Sequence, residues 1–200
     1  MSLSIVNLVA GRQGHFRLES GHHSTLWLDL DALFVDPARL KPLVDQLAHA
    51  LRRHSCTAVC GPLTGGAFLA QMLAAELGVE FAFTERVLPP DRAGLYAVQY
   101  LLPAGLRDRV RGKRFAVVDD VISAGSAVRG TCADLEAHGG AVAVVGALLG
   151  LGSKAPDFFA ARGTPMVFVD QLPYDMWLAS ECPLCREGVV LEDVAVAKGR

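Results

Sequence analysis

The chain has 200 residues, 52% hydrophobic and 20% charged, with 19 Lys plus Arg against 21 Asp plus Glu. That balance excludes a disordered, collagen-like or coiled-coil chain, and it leaves no positive field to hold nucleic acid or an anionic membrane surface. The length predicts one domain, residues 1–200, with enough core to dispense with disulfide staples.

Cys56, Cys60, Cys132, Cys182 and Cys185 are odd in number and scattered, as reduced thiols are. Residues 1–14 have no cationic stretch ahead of the short apolar run 5–10, and the weakly polar run 141–152 is too short and too rich in Gly to span a bilayer. A cytoplasmic protein is expected.

In chain order, residues 15–31 alternate apolar and polar side chains (Phe16, Leu18, then Leu26, Leu28, Leu30), the pattern of half-exposed antiparallel strands. Residues 57–60 (TAVC) read as a strand ended by Gly61-Pro62. Residues 66–77 place Phe68, Leu69, Met72, Leu73 and Leu77 on one side of a helix that Gly78 stops. A strand at 80–84 (EFAFT) precedes the most loop-like stretch, 85–114, in which 95–102 is expected to form a hairpin arm. Residues 115–118 (FAVV) are an unbroken apolar run, as in a strand buried on both faces of a parallel sheet. A helix from about 126 to 138 follows, closed by Gly139-Gly140, then strands at 141–149 and 166–169. This β-α-β-α-β order predicts an α/β fold with a doubly wound parallel sheet, its core over about 35–170. Residues 172–200 look irregular. A small hood, about 1–34 plus 171–200, is expected from the two flanks.

The richest segment is Phe115-Ala-Val-Val-Asp119-Asp120-Val121-Ile122-Ser123-Ala124-Gly125-Ser126-Ala127. In open α/β sheets ligands lie beyond the carboxyl ends of strands, where the next helix presents unpaired N–H groups. Small residues let that backbone approach a phosphate, and Ser123 and Ser126 add hydroxyls. With no Walker Lys and no G-x-G-x-x-G, neither an NTPase nor a dinucleotide fold explains the turn. A carboxylate pair beside a monophosphate cradle suits a sugar phosphate. The plainer alternative is that the acids end a strand and Ser126 caps a helix.

Four apolar residues, two acids, two apolar residues and Ser-Ala-Gly-Ser resemble the phosphoribosyl-pyrophosphate (PRPP) signature of type I phosphoribosyltransferases. Upstream, Gly14-His-Phe-Arg17-Leu-Glu-Ser-Gly-His-His-Ser24-Thr-Leu-Trp27-Leu-Asp29 is similar to the hood segment of the orotate phosphoribosyltransferase branch, and Cys60-Gly61-Pro62-Leu63-Thr64-Gly65-Gly66 stands where the family has its pyrophosphate loop. The resemblance runs from about residue 14 to 150. It implies a type I phosphoribosyltransferase-like fold, transfer of ribose 5-phosphate from PRPP to a nitrogenous base with release of pyrophosphate, Mg²⁺ held mainly by PRPP, and a homodimer. It implies Asp119 and Asp120 on the ribose and Val121, Ile122, Ser123, Ala124, Gly125, Ser126 and Ala127 in the PRPP signature, the last five around the 5-phosphate. Leu63, Thr64 and Gly65 with Arg17 and Arg86 would hold the pyrophosphate, and Arg17, Ser24, Trp27 and Ser123 would surround the base. Arg86, Arg17, Asp119 and Asp120 form the implied catalytic set.

Two segments depart from the orotate pattern. The family's mobile loop is rich in Lys and His, whereas 85–112 has neither and carries Arg86, Arg92, Arg107, Arg109 and Arg111, which bind pyrophosphate bidentately but are not interchangeable with Lys. The Arg that grips orotate in the family has no counterpart in 146–153 (GALLGLGS). An orotate enzyme, an enzyme for another base, and a non-catalytic PRPP-binding regulator or sensor all remain open.

Cys182-Pro-Leu-Cys185 is half of a zinc knuckle. Cys56, Cys60 or a symmetry-related chain would supply the other ligands, and reduced structural thiols are the plainer reading. His22 and His23, adjacent on a strand, point to opposite faces and are expected to line the hood rather than bind metal. Trp27 and Trp177 are expected to pack the hood or stack on a base.

Overall fold

The computed structural model describes residues 5, 9–18, 21–30, 32–87 and 98–193. Strands β1 (Ala10–Arg17) and β2 (His23–Asp29) pair antiparallel, as the alternation predicts, with a bulge between Gln13 and Phe16. Helix α1 (Pro37–Leu51) follows. The Asp36 side chain caps it by accepting from the Arg39 N–H at 3.2 Å, Pro37 sits in its first turn, and Leu40, Leu43, Val44, Leu47 and Leu51 form its buried stripe.

The chain then builds β3 (Ala58–Pro62), α2 (Gly65–Leu77), β4 (Glu80–Val87), β5 (Gln99–Leu101), β6 (Arg114–Ile122), α3 (Ser126–Ala137), β7 (Ala141–Leu151), α4 (Lys154–Ala161) and β8 (Met166–Leu172). The six-stranded sheet runs β5-β4-β3-β6-β7-β8, parallel except for β5, which lies antiparallel to β4. Of the expected hairpin arm 95–102, the part before residue 98 lies outside the described residues. Gly78, at φ 68, ends α2 where the sequence places the stop.

Both faces are covered, as expected for a doubly wound sheet. Along β6, Ala116 and Val118 join the cluster under α1 and α2, while Phe115 and Val117 join Val128, Cys132, Leu135 and Phe159 of α3 and α4. Strand order reverses between β3 and β6, which opens a crevice at their carboxyl ends.

Helices α1 and α4 are absent from the sequence expectations. In α1, Pro42 interrupts the pattern, and α4 is only 8 residues long with Ala155 and Phe159 its buried positions. The irregular tail is more ordered than expected: β9 (Met176–Trp177), α5 (Pro183–Arg186) and β10 (Glu192–Asp193) follow β8, and the second sheet runs β10-β1-β2-β9. Strands from the two flanks thus share one small hood sheet. Among the described residues no helix is long and apolar enough to cross a membrane.

Candidate active site

Strands β3 and β6 are neighbours, with Cys60 beside Val117, so the turn after β3 and the acids of β6 emerge together at the crevice. The acids do not end their strand. Asp119 pairs with Ala147 of β7, and Val121 with Leu149, so β6 continues to Ile122. A methyl group on Gly65 would stand 2.7 Å from Asp120 Cγ, and one on Gly66 would stand 2.7 Å from Asp119 Oδ1. The two glycines therefore make room for the carboxylates. Leu63 and Thr64, joined by a cis peptide, are exposed above this floor.

Asp119 Oδ1 accepts from the Asp120 N–H at 3.1 Å, and Asp120 Oδ1 accepts from the Val121 N–H at 2.8 Å. Desolvation by dense surroundings, then the adjoining charge of Asp120, raises the Asp119 pKa well above the usual carboxylate range.

Beyond the acids, Gly125 adopts φ 76 and takes the cap position of α3, so Ser126 is the first helical residue rather than the cap. A methyl on Gly125 would meet Ala155 of α4 at 3.0 Å. Ser123, Ala124, Ser126 and Ala127 flank this turn with partial or greater exposure, which leaves the helix N-terminus accessible to a phosphate. Val121 and Ile122 continue the strand, Ile122 in the core.

Ser123 and Ala124 form one wall of a cleft of about 200 Å³; Ser153 and Lys154 at the start of α4 form another, and Tyr174 and Trp177 close it from the hood side. Trp177 faces this cleft, whereas Trp27 sits under the Arg12 guanidinium, 5.6 Å from its ring centroid. Ser24 is fully buried; its hydroxyl accepts from the Leu26 N–H at 3.1 Å and bonds Tyr174, whose phenol pKa is raised by burial. It reaches the cleft through Tyr174. Lys154 lies one residue past 146–153, the stretch without an Arg, and is one of only four Lys in the chain.

Arg86 is exposed on β4, two residues beyond Thr84, the partner of Pro62. Arg17 lies on β1, ion-paired with Asp193 of β10. Arg92 lies outside the described residues. A larger cleft, about 310 Å³, opens where β3, β4 and β6 begin, lined by Ala58, Glu80 and Phe115. It is at the opposite end of the sheet from the acids and lacks the strand-end geometry of a ligand site.

The tail cysteines find partners that the sequence reading did not assign. Cys182 and Cys185 meet His15 and His23, with one ligand atom from each residue inside a 4.8 Å group that includes neither Cys56 nor Cys60. Cys60 is buried in the main core, where burial pushes its thiol pKa up. His23 does not merely line the hood: it faces the thiols.

Paired acids and a small-residue turn at the switch point of a doubly wound sheet define an α/β protein built to bind a sugar phosphate. Residues 36–157 match the phosphoribosyl transferase domain family, and the chain belongs to it. It is 33% identical over 182 residues to the orotate phosphoribosyltransferase of Thermus thermophilus, covering 91% of this chain and 92% of that one. The crystal structure of orotate phosphoribosyltransferase from Aeropyrum pernix aligns with TM-score 0.61 and 27% identity over 81% of this chain and 88% of that one. Adenine phosphoribosyltransferase from Thermoanaerobacter pseudethanolicus, at 19% identity and TM-score 0.58 over 74% and 88%, shares the fold. The protein is a pentosyltransferase that carries out PRPP-dependent phosphoribosyl transfer.

Proposed function

We propose that the acceptor base is orotate and that Mg²⁺ accompanies PRPP. The reading rests on Lys154, which lines the cleft beside Ser123 together with the acid Asp175 and offers the orotate carboxylate a cation where 146–153 offers no Arg. The cleft of about 200 Å³ suits a single-ring base, being smaller than the roughly 300–1,000 Å³ of drug-sized sites. The names of the Thermus and Aeropyrum relatives point the same way.

The donor set also fits the metal. Mg²⁺ keeps several waters and uses one or two carboxylates with substrate phosphates, and Asp119 and Asp120 provide hard oxygens above a floor without side chains. Bound with PRPP, Mg²⁺ supplies neutralisation of the leaving pyrophosphate. Asp119 and Asp120 accept hydrogen bonds from the ribose hydroxyls and stabilise positive charge developing on the ring. The turn 123–127 holds the 5-phosphate. Leu63, Thr64 and Gly65 with Arg86 meet the pyrophosphate, joined by Arg17 once it exchanges Asp193 for substrate. Tyr174 and Trp177 cover the base and exclude water, with Ser24 positioning Tyr174 and Trp27 packing the hood behind them. Catalysis is then mainly positioning and fixed electrostatics. A cytoplasmic homodimer fits the family resemblance, and sedimentation checks the dimer.

Pyrophosphate release with Mg²⁺ and PRPP tests the base. Orotate is expected to drive release and uracil, which lacks the carboxylate, to be far poorer. Lys154→Ala should raise the KM for orotate roughly 10- to 100-fold, the worth of one charge-assisted hydrogen bond. Equal rates with uracil, or an unchanged orotate KM, would overturn the assignment.

A further inference from the structure

We propose that His15, His23, Cys182 and Cys185 form a structural zinc site that clamps the chain between β9 and β10 onto the hood hairpin. His15 Nε2 lies 3.1 Å from His23 Nδ1, 3.4 Å from Cys182 Sγ and 3.8 Å from Cys185 Sγ, and Cys185 Sγ lies 3.2 Å from His23 Nδ1. Zinc bonds of about 2.0–2.1 Å to nitrogen and about 2.3 Å to sulfur make a tetrahedron with edges of roughly 3.3–3.8 Å. Two of the four spacings fall on those edges, two are shorter by 0.1–0.2 Å, and all four ligand atoms lie within 4.8 Å of one another, close enough for one ion to draw them together.

Their orientation is set from outside the cluster. The Val189 carbonyl, which can only accept, lies 2.9 Å from His15 Nδ1. It fixes the proton there and leaves the Nε2 lone pair facing the other three ligands, the outer hydrogen bond typical of metal-bound imidazoles. The β-bulge is equally pointed. Arg17 pairs with His23, which puts His15, two residues earlier, on the face of His23, while the extra residue between Gln13 and Phe16 returns Gln13 to register with Leu26 on the opposite face. Gly14 permits the bulge, since a methyl there would strike the Phe16 ring at 2.9 Å.

The strap has little else to hold it. β9 and β10 lie on opposite edges of the hood sheet, so residues 178–191 must cross between them, and in this stretch only Cys182 is buried. Ordering such a segment costs on the order of 1–2 kcal/mol per residue of backbone entropy, which apolar contact here does not offset. Two thiolates and two imidazoles favour zinc over harder cations, and four protein ligands leave no open position, so the site is structural and separate from the PRPP chemistry.

The test is metal analysis of the full chain purified under reducing conditions. The expected result is about one zinc per chain, four-ligand sites binding tightly enough to survive purification. Replacement by Co²⁺ should give the intense visible bands of a tetrahedral site and a thiolate-to-cobalt charge-transfer band. Cys182→Ser with Cys185→Ser should lose both the metal and that band. Because this variant could also lose its hood, the wild-type protein is read independently: chelation should expose both thiols to a thiol reagent and open 178–191 to proteolysis. A metal-free chain whose Co²⁺ complex lacks the thiolate band, or a Cys182–Cys185 disulfide found by mass spectrometry, would overturn the proposal.

Discussion

Gly65→Ala probes a close approach in the candidate active site. The new methyl would begin 2.7 Å from Asp120 Cγ, against about 3.4 Å for ordinary contact, so the carboxylate must retreat by at least about 0.7 Å. Its 2.8 Å hydrogen bond from the Val121 N–H stretches or breaks with that move, at a cost of roughly 1–3 kcal/mol. The obstacle is the end of a side chain, so the fold should survive; a methyl on Gly61 would instead be driven into the Gly66 carbonyl. Misplacing a reacting group by about 1 Å can cost on the order of 100-fold in rate. Gly65→Ala should therefore lower kcat/KM for PRPP by about 10- to 100-fold while the chain still melts cooperatively. Gly105→Ala, with nothing within 4 Å of the added methyl, is the matched control. Pyrophosphate release and calorimetric Mg-PRPP binding, read beside thermal melts, check both. A Gly65→Ala enzyme with unchanged kcat/KM would refute the carboxylate–glycine packing as a determinant of activity.

Asp119 gives a linked prediction about pH. Its raised pKa means the native state holds a proton that the unfolded state has released, so the associated stability is present at low pH and is lost as pH rises from the ordinary carboxylate range through the raised value. Asp119→Asn should flatten that slope, raise the apo melting temperature at neutral pH and abolish PRPP binding; parallel pH slopes for the two proteins would contradict it. Thr84 and Thr131 bond through their hydroxyls at 2.7 Å, both at 0% exposure. Thr131→Val leaves a buried hydroxyl unpaired and should cost about 1–3 kcal/mol, or about 2–4 °C per kcal/mol at this chain length. Thr84→Val added to it should recover part of the loss, and a double variant less stable than either single one would count against the pair.

The active-site half of the molecule is legible from the chain because its signals are local. Residues 115–118 announce a strand buried on both faces, Asp119 and Asp120 follow at once, and a small-residue turn opens the next helix within a few positions. What the sequence conceals depends on distant segments or on irregularities. Lys154 reaches the cleft because α4 begins there, and α4 is too short for its period to be read. Trp177 rather than Trp27 lines the cleft beside Ser123 because a two-residue strand docks on β2, with no periodicity to betray it. The His–Cys cluster is hidden twice over: its contacts join residues 162 and 167 positions apart, and the bulge beside His15 breaks the alternation by which strand faces are inferred.

The hood draws β1 and β2 from one end of the chain and β9 and β10 from the other. During synthesis, which proceeds from the N-terminus and lets completed units fold first, β3 to β8 have all emerged before the hood can acquire its edges. The turn 123–127 is therefore made before the cleft wall that carries Tyr174 and Trp177. Tyr174 and Trp177 thus take their places only once the two flanks of the chain meet.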